Sequence, residues 1–193
     1  GQGVMTALPM LIAEELEADW ARIATEFAPA DSAYTNSLLG RQATGGSTAI
    51  RNAWRPLREA GAAAKEMLVA AAAERWGVKA SDCEVAEQVV RHPASGRSAT
   101  FGELAAAAAE QSVPEAVFLK DPENFRLLGT PRDRLDAPAK VDGSARFGMD
   151  VQLDGLLTAQ VVRCPVLGGK AKSFDASEAK HVPGVKQVVE IDS

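Results

Sequence analysis

The chain has 193 residues, enough for one large domain or two small ones. At 46% hydrophobic, 24% charged and only 5% aromatic, it has an ordinary globular composition in which small residues do much of the packing. A net charge of -5 argues against nucleic acid as a partner, because phosphate backbones are gripped by basic surfaces.

Cys83 and Cys164 are far apart and form no C-x-x-C pair, so neither a disulfide framework nor an iron–sulfur cluster held by this chain is expected. His92 and His181 are the only histidines; they offer little for a transition metal and read as surface or loop residues. Val4 to Leu16 is too short and too acidic to cross a membrane. No basic region precedes it, so it is not a secretory signal. The sequence opens without Met, inside a glycine motif, which reads as a fragment or a processed product.

Gly1-Gln2-Gly3 is followed by a helical pattern over Val4 to Ala18, with Leu8, Leu11, Ile12 and Leu16 on one face. Trp20 to Phe27 alternates apolar and polar, as a half-buried strand does, and Pro29 ends it. Tyr34 to Thr44 reads as loop. Ser47 or Thr48, after Gly45-Gly46, caps a short helix toward Trp54. Pro56 suits the first turn of a second, long helix that Gly77 stops. Its first half, Ala60-Gly61-Ala62-Ala63-Ala64, carries almost no side chain, which favours a close helix–helix or helix–sheet contact.

Cys83 to Arg91 reads as a strand, Pro93 to Gly96 as a turn, and Arg97 to Ala99 as its hairpin return. Thr100-Phe101-Gly102-Glu103 matches a capping box and starts an alanine-rich helix to about Gln111. Prolines at 114, 122 and 131 make 113–134 a mostly extended linker, with a short strand at Phe125 to Leu128, between domains at 1–112 and 135–193. Beyond it, Leu156 to Val162 and Val185 to Ile191 read as strands around a short helix that starts near Asp175–Glu178 and ends at Lys180. The fold class expected is α+β.

Individual residues point to no catalytic group. Cys164 before Pro165 has no evident base, and Gly168-Gly169-Lys170 lacks the spacing of a phosphate loop. Glu14, Glu15 and Glu17 read as a solvated acidic face. Arg41, Arg51, Arg55 and Arg58 could clamp an anion, but most read as partners of carboxylates or water. The glycines around Gln2 suit close approach of a polar ligand, with an amide that donates and accepts. Alone, they read more simply as a turn before a helix.

An ordered set of motifs changes that reading. Gly1-Gln2-Gly3, Thr6-Ala7-Leu8-Pro9 and Ala13-Glu14-Glu15-Leu16 together resemble the glycine–glutamine–glycine segment of the xanthine dehydrogenase/aldehyde oxidase family of molybdenum hydroxylases. Gly45-Gly46-Ser47-Thr48, Arg51, Trp54 and Pro56-Leu57-Arg58 through Ala64 resemble the branch of that family typified by the beta subunit of isoquinoline 1-oxidoreductase. Arg134-Leu135-Asp136, Pro138 to Val141, Gly143, Ala159, Arg163, Lys172 to Asp175, Ala179-Lys180 and Val182 to Val185 resemble the family's α/β hammerhead domain.

The resemblance implies a helix-rich part of a molybdopterin-binding domain followed by a hammerhead-like module. It implies hydroxylation of an N-heterocycle or oxidation of an aldehyde, with oxygen from water and electrons leaving to a separate 2Fe–2S iron–sulfur small subunit. The metal would be held by the pterin, with no protein metal ligand. Gly1, Gln2 and Gly3 would bind the cofactor, with the backbone of Gly61, Ala62 and Ala63 lining it. Bacterial relatives point to the cytosine dinucleotide form of molybdopterin.

The family's catalytic glutamate has no counterpart here. The chain therefore reads as a fragment of the large subunit, inactive and cofactor-free alone, with the rest of that subunit as partner. Periplasm and cytoplasm both remain open. Two other readings stand beside this one: a non-catalytic binding or assembly module derived from the family, and self-association through the alanine-rich helix.

Overall fold

A computed structural model describes residues 2–191, and these form two compact units, Gly1–Ala145 and Arg146–Ser193. In the first, helix α1 (Val4–Leu16) packs along the long helix α2 (Thr48–Trp76). A three-stranded antiparallel sheet follows, with β1 (Glu84–Ala86), β2 (Val89–His92) and β3 (Arg97–Thr100) in sequential order. Helix α3 (Phe101–Ala109) returns onto α2.

Why these elements form follows from local chemistry. Gly3 enters α1 with φ 70°, a left-handed conformation that favours glycine. Gly77 ends α2 in the same way, its N–H returning to the carbonyls of Ala73 and Glu74. At α3, Thr100 and Glu103 form the expected reciprocal capping box. Leu68, Ala71 and Ala72 of α2, Val90 and Ala99 of the sheet, and Leu104 and Ala108 of α3 make the core.

The expected short helix near Trp54 and the second helix from Pro56 are one continuous element of 29 residues. Pro56 lies on its exposed side, so the lost backbone bond is outweighed by packing along the rest of α2. Trp20 to Phe27 is not a strand. Asp19 accepts the Ala21 N–H and starts a 3₁₀ turn at Trp20–Arg22, and Phe27 is 78% exposed. Cys83 to Arg91 is two strands rather than one, reversed at Glu87-Gln88, both with positive φ. The Gln88 N–H donates to the Glu17 carbonyl, which ties this turn to the end of α1. His92 is buried, not a surface residue; its Nδ1 meets Ser95 Oγ at 2.7 Å.

Beyond α4 (Ala137–Val141) of the first unit, the described residues of the second form a 3₁₀ turn at Gly148–Asp150 and one short α-helix, α5 (Ser177–His181). No strand forms among its described residues, so the strands expected at 156–162 and 185–191 are corrected to irregular chain. Val162 is 90% exposed. Alternation alone does not make a strand, because the backbone needs a neighbouring ladder and the apolar side chains need a face to bury. Before α5 the Asp175 Oδ1 accepts the Ser177 N–H at 2.9 Å, but the N-cap position is Ala176 and no side chain caps the helix. No helix of the described residues is long and apolar enough to cross a membrane.

The small-residue stretch in the middle of α2 has an immediate structural use. A Cβ on Gly61 would stand 2.5 Å from the Ile12 carbonyl oxygen and 3.2 Å from Glu15 Cβ, and Ala62 is fully buried. Gly61→Ala should force α1 off α2 and destabilise the fold by about 1–3 kcal/mol despite alanine's better helix propensity. Thermal unfolding followed by circular dichroism checks this; an unchanged or raised Tm would contradict the contact.

Candidate cofactor-binding site

Glu14 and Glu15 do not form a solvated face. Their relative exposures are 1% and 0%. Neighbours on a helix point about 100° apart, so the two carboxylates serve different partners. Glu15 turns toward α2, where its Oε1 accepts from Arg58 at 2.7 Å, and its Oε2 accepts the Lys120 backbone N–H at 3.1 Å. Arg58, also buried, donates to the Lys120 carbonyl at 2.6 Å and stacks over Trp54 and Phe125, 5.1 and 5.0 Å from their ring centroids. Of the four arginines weighed as an anion clamp, Arg58 is thus committed to Glu15, and Arg55 pairs with Glu59.

Glu14 gathers backbone donors. Its carboxylate accepts the N–H groups of Arg126, Leu127 and Leu128 at 2.7–3.1 Å, and the Lys120 ammonium at 2.9 Å. Lys120 also bonds Glu17 at 2.7 Å, and Arg126 reaches Glu17 at 3.2 Å. The short strand expected at Phe125 to Leu128 is therefore absent: these backbone groups face a carboxylate, not a neighbouring strand. Burial alone would raise the Glu14 pKa. The Lys120 ammonium and the Leu128 and Leu127 N–H groups overcome it and hold the carboxyl below its ordinary value of 4.5.

These bonds set the path of residues 120–135. The strap is held at residue 120 by Glu15, at 126–128 by Glu14, and at 135 by Thr6, whose hydroxyl accepts the Leu135 N–H at 3.0 Å. As the strap advances, its anchors step back along α1. It therefore runs antiparallel to the helix and delivers Thr130, Arg132 and Arg134 to the start of α1. There a pocket of about 340 Å³ opens, lined by Gln2, Gly3, Thr6, Thr130, Arg132 and Arg134 among others. Proline content suggests an extended linker here; bonds of the strap to α1 keep it within the first unit.

Gln2 and Gly3 thus line an open pocket, while Gly1 lies outside the described residues. The Gln2 Oε1 is buried with no hydrogen-bond partner among the described residues. An orphaned amide oxygen is costly unless something donates to it. A Cβ on Gly3 would meet nothing within 4 Å, so the backbone is open to approach. The Gly61–Ala63 stretch lines neither this cavity nor the larger one of about 600 Å³ between α2 and the hairpin. That larger cavity is bordered by Met67, Val69, Val85 and Cys83. Burial pushes the Cys83 thiol up, with Asp82 adding to the effect, which disfavours a thiolate nucleophile there. No cluster of three or more metal-ligating side chains occurs among the described residues.

Sequence reading missed the strap's contribution. Thr130, Arg132 and Arg134 are far from Gln2 along the chain, and the bonds of Glu14, Glu15 and Thr6 bring them together. A trace was visible: three glutamates at 14, 15 and 17 exceed what one exposed helix edge needs, and Glu14 falls on the same face as Thr6 and Met10.

Because the folded Glu14 pKa is depressed, its contribution is complete above its ordinary value of 4.5 and fades as pH falls through the lower folded value. Urea unfolding at stepped pH should show stability dropping below about pH 4.5, and Glu14→Gln should cost about 3 kcal/mol near neutral pH with a flatter acid limb. A variant as acid-sensitive as the parent would remove Glu14 from this role.

Comparison with known proteins agrees with the geometry. Residues 1–140 match the family described as molybdopterin cofactor-binding domain. The chain is 38% identical to the beta subunit of isoquinoline 1-oxidoreductase from Brevundimonas diminuta, over 99% of this chain and 29% of that protein. It is 33% identical to a membrane-bound aldehyde dehydrogenase (pyrroloquinoline-quinone) of Gluconacetobacter polyoxogenes, over 100% and 25%. It is 28% identical to a nicotinate dehydrogenase subunit of Pseudomonas putida, over 99% and 16%. The chain spans less than a third of the length of each of these relatives. With a pocket built at a glycine-opened helix and a family match running from that helix through the strap to residue 140, the chain belongs to the molybdopterin cofactor-binding domain family.

Proposed function

We propose that this chain is part of the large subunit of a molybdenum-dependent oxidoreductase that hydroxylates N-heterocycles or oxidises aldehydes with water as the oxygen source. The observation that carries the reading is the buried, unpartnered amide oxygen of Gln2 beside an open glycine backbone, within the segment that matches the family. A pterin presents N–H donors of the kind this oxygen lacks. The relatives' names support the substrate class: one is named for isoquinoline, one for an aldehyde, one for nicotinate.

When bound, the pterin would hold the molybdenum and supply the redox chemistry. The residues of this chain would bind and orient it: Gln2 through its amide and Gly3 through backbone that no side chain shields, with Gly1 assigned by the resemblance. The contribution of Gly61, Ala62 and Ala63 rests on the resemblance, since Gly61 and Ala62 also serve the α1–α2 contact. The same reading includes the cytosine dinucleotide form, a partner iron–sulfur subunit, the remainder of the large subunit, and a hammerhead-like role for 135–193. Two of the relatives are themselves named as subunits, which is consistent with partners.

One relative's name carries pyrroloquinoline quinone instead of a molybdopterin, so the cofactor itself is the point to measure. The holoenzyme containing this chain should hold near-stoichiometric molybdenum by mass spectrometry and release a fluorescent pterin on oxidation. Gln2→Ala should lower both by about tenfold, the expected scale for losing a hydrogen bond to a buried group. Quinone in place of molybdenum, or no molybdenum at all, would overturn the reading.

A further inference from the structure

The pocket at the start of α1 is built for more than an amide contact. Two guanidinium groups, Arg132 and Arg134, line it, and no carboxylate is among its lining residues. The two are not equivalent. Arg134 makes a bidentate pair with Asp136 at 2.9 and 3.0 Å, and Asp136 also accepts from Lys140. These cations hold the Asp136 carboxyl well below the usual carboxylate range, and the pair raises the Arg134 pKa. Arg134 is therefore committed.

Arg132 is differently placed. Its Nε donates to Thr130 Oγ1 at 3.2 Å, and one terminal nitrogen lies 3.5 Å from the Arg126 carbonyl. Those acceptors are a hydroxyl and a carbonyl, which orient a guanidinium without neutralising it. Thr130 is itself oriented, because its hydroxyl donates to the Leu127 carbonyl at 2.7 Å. Leu127 is the residue whose N–H is held most closely by Glu14, at 2.7 Å. A chain of hydrogen bonds thus runs from a buried carboxylate in α1 to a solvent-exposed guanidinium beside Gln2 that has no carboxylate partner among the described residues.

We propose that Arg132 is the receiving group of a phosphate subsite. It takes the phosphate-bearing end of the ligand whose N–H donors meet Gln2, and Glu14 and Thr130 act as positioning residues. The inference rests on the cofactor reading above for the identity of that ligand, but the chemistry it names is the phosphate group. Phosphate matches a guanidinium fork. The open backbone of Gly3 and the first turn of α1 add the favourable end of a helix dipole for an anion.

The test separates the subsite from the cofactor reading. Protein free of pterin, made in a host that lacks the cofactor, is titrated with inorganic pyrophosphate by calorimetry; the holoenzyme is assayed for bound pterin and molybdenum. Arg132→Gln should weaken pyrophosphate binding about 10- to 100-fold, the expected scale for one charge-assisted hydrogen bond, and should lower retained pterin. Arg132→Lys should recover part of the binding, as a point charge without the fork. Gln2→Glu, which places a negative charge in the same pocket, should also weaken pyrophosphate binding. Arg22→Gln, at an exposed arginine outside the pocket, should change neither readout. Pyrophosphate binding that is absent in the parent, or unchanged in Arg132→Gln, would overturn the subsite. If the parent holoenzyme carries no pterin while Arg132→Gln still loses pyrophosphate, the phosphate subsite stands, and the cofactor as its occupant is overturned.

Discussion

The first unit depends on two carboxylates taken out of water in the last turn of α1. A buried charge is tolerated only when donors surround it. Glu15 draws Arg58 from α2, and Glu14 draws three consecutive backbone N–H groups and an ammonium from a segment more than a hundred residues later. These two demands decide where α2 and the strap can lie. A helix with leucines in place of the glutamates could still pack on α2, but of the anchors at 120, 126–128 and 135 only the Thr6–Leu135 bond would remain to set the strap's register along it.

Two faces of α1 therefore have separate tasks. The face with Ile12 and Glu15 meets α2 at Gly61, where glycine is needed because the Ile12 carbonyl approaches too closely for any side chain. The face with Thr6, Met10 and Glu14 carries the strap and, at its open end, the pocket. This division gives the small residues at 61 and 62 a mechanical role that is complete without any ligand. It also concentrates the ligand-facing chemistry at Gln2, Gly3 and the arginines.

The two units differ in how well local pattern predicts structure. In the first, the Thr100–Glu103 capping box and the Gly77 stop are local devices, legible because the groups that satisfy each other lie within a few residues. The Glu87-Gln88 reversal was hidden because neither residue advertises a positive φ; the turn is held by the Glu17 carbonyl and the Phe101 N–H from distant elements. In the second unit, Leu156 to Val162 carries strand-like composition, yet forms no ladder among the described residues. Composition describes what a neighbour would bury; it does not supply the neighbour.

The sequence by itself determined α1 and α3, the Gly77 stop of α2, the Thr100–Glu103 cap, the α+β class, and the ordered motifs that resemble a molybdopterin-binding family. All of these depend on short-range periodicity, or on residue order that folding does not alter. Only the tertiary structure decided that Glu14 and Glu15 are buried, that 120–135 is a strap, and that Arg132 stands beside Gln2. Each is a pairing across more than forty residues. A carboxylate on an isolated helix belongs in water, and it becomes interior only when a distant part of the chain returns with the donors that can replace that water.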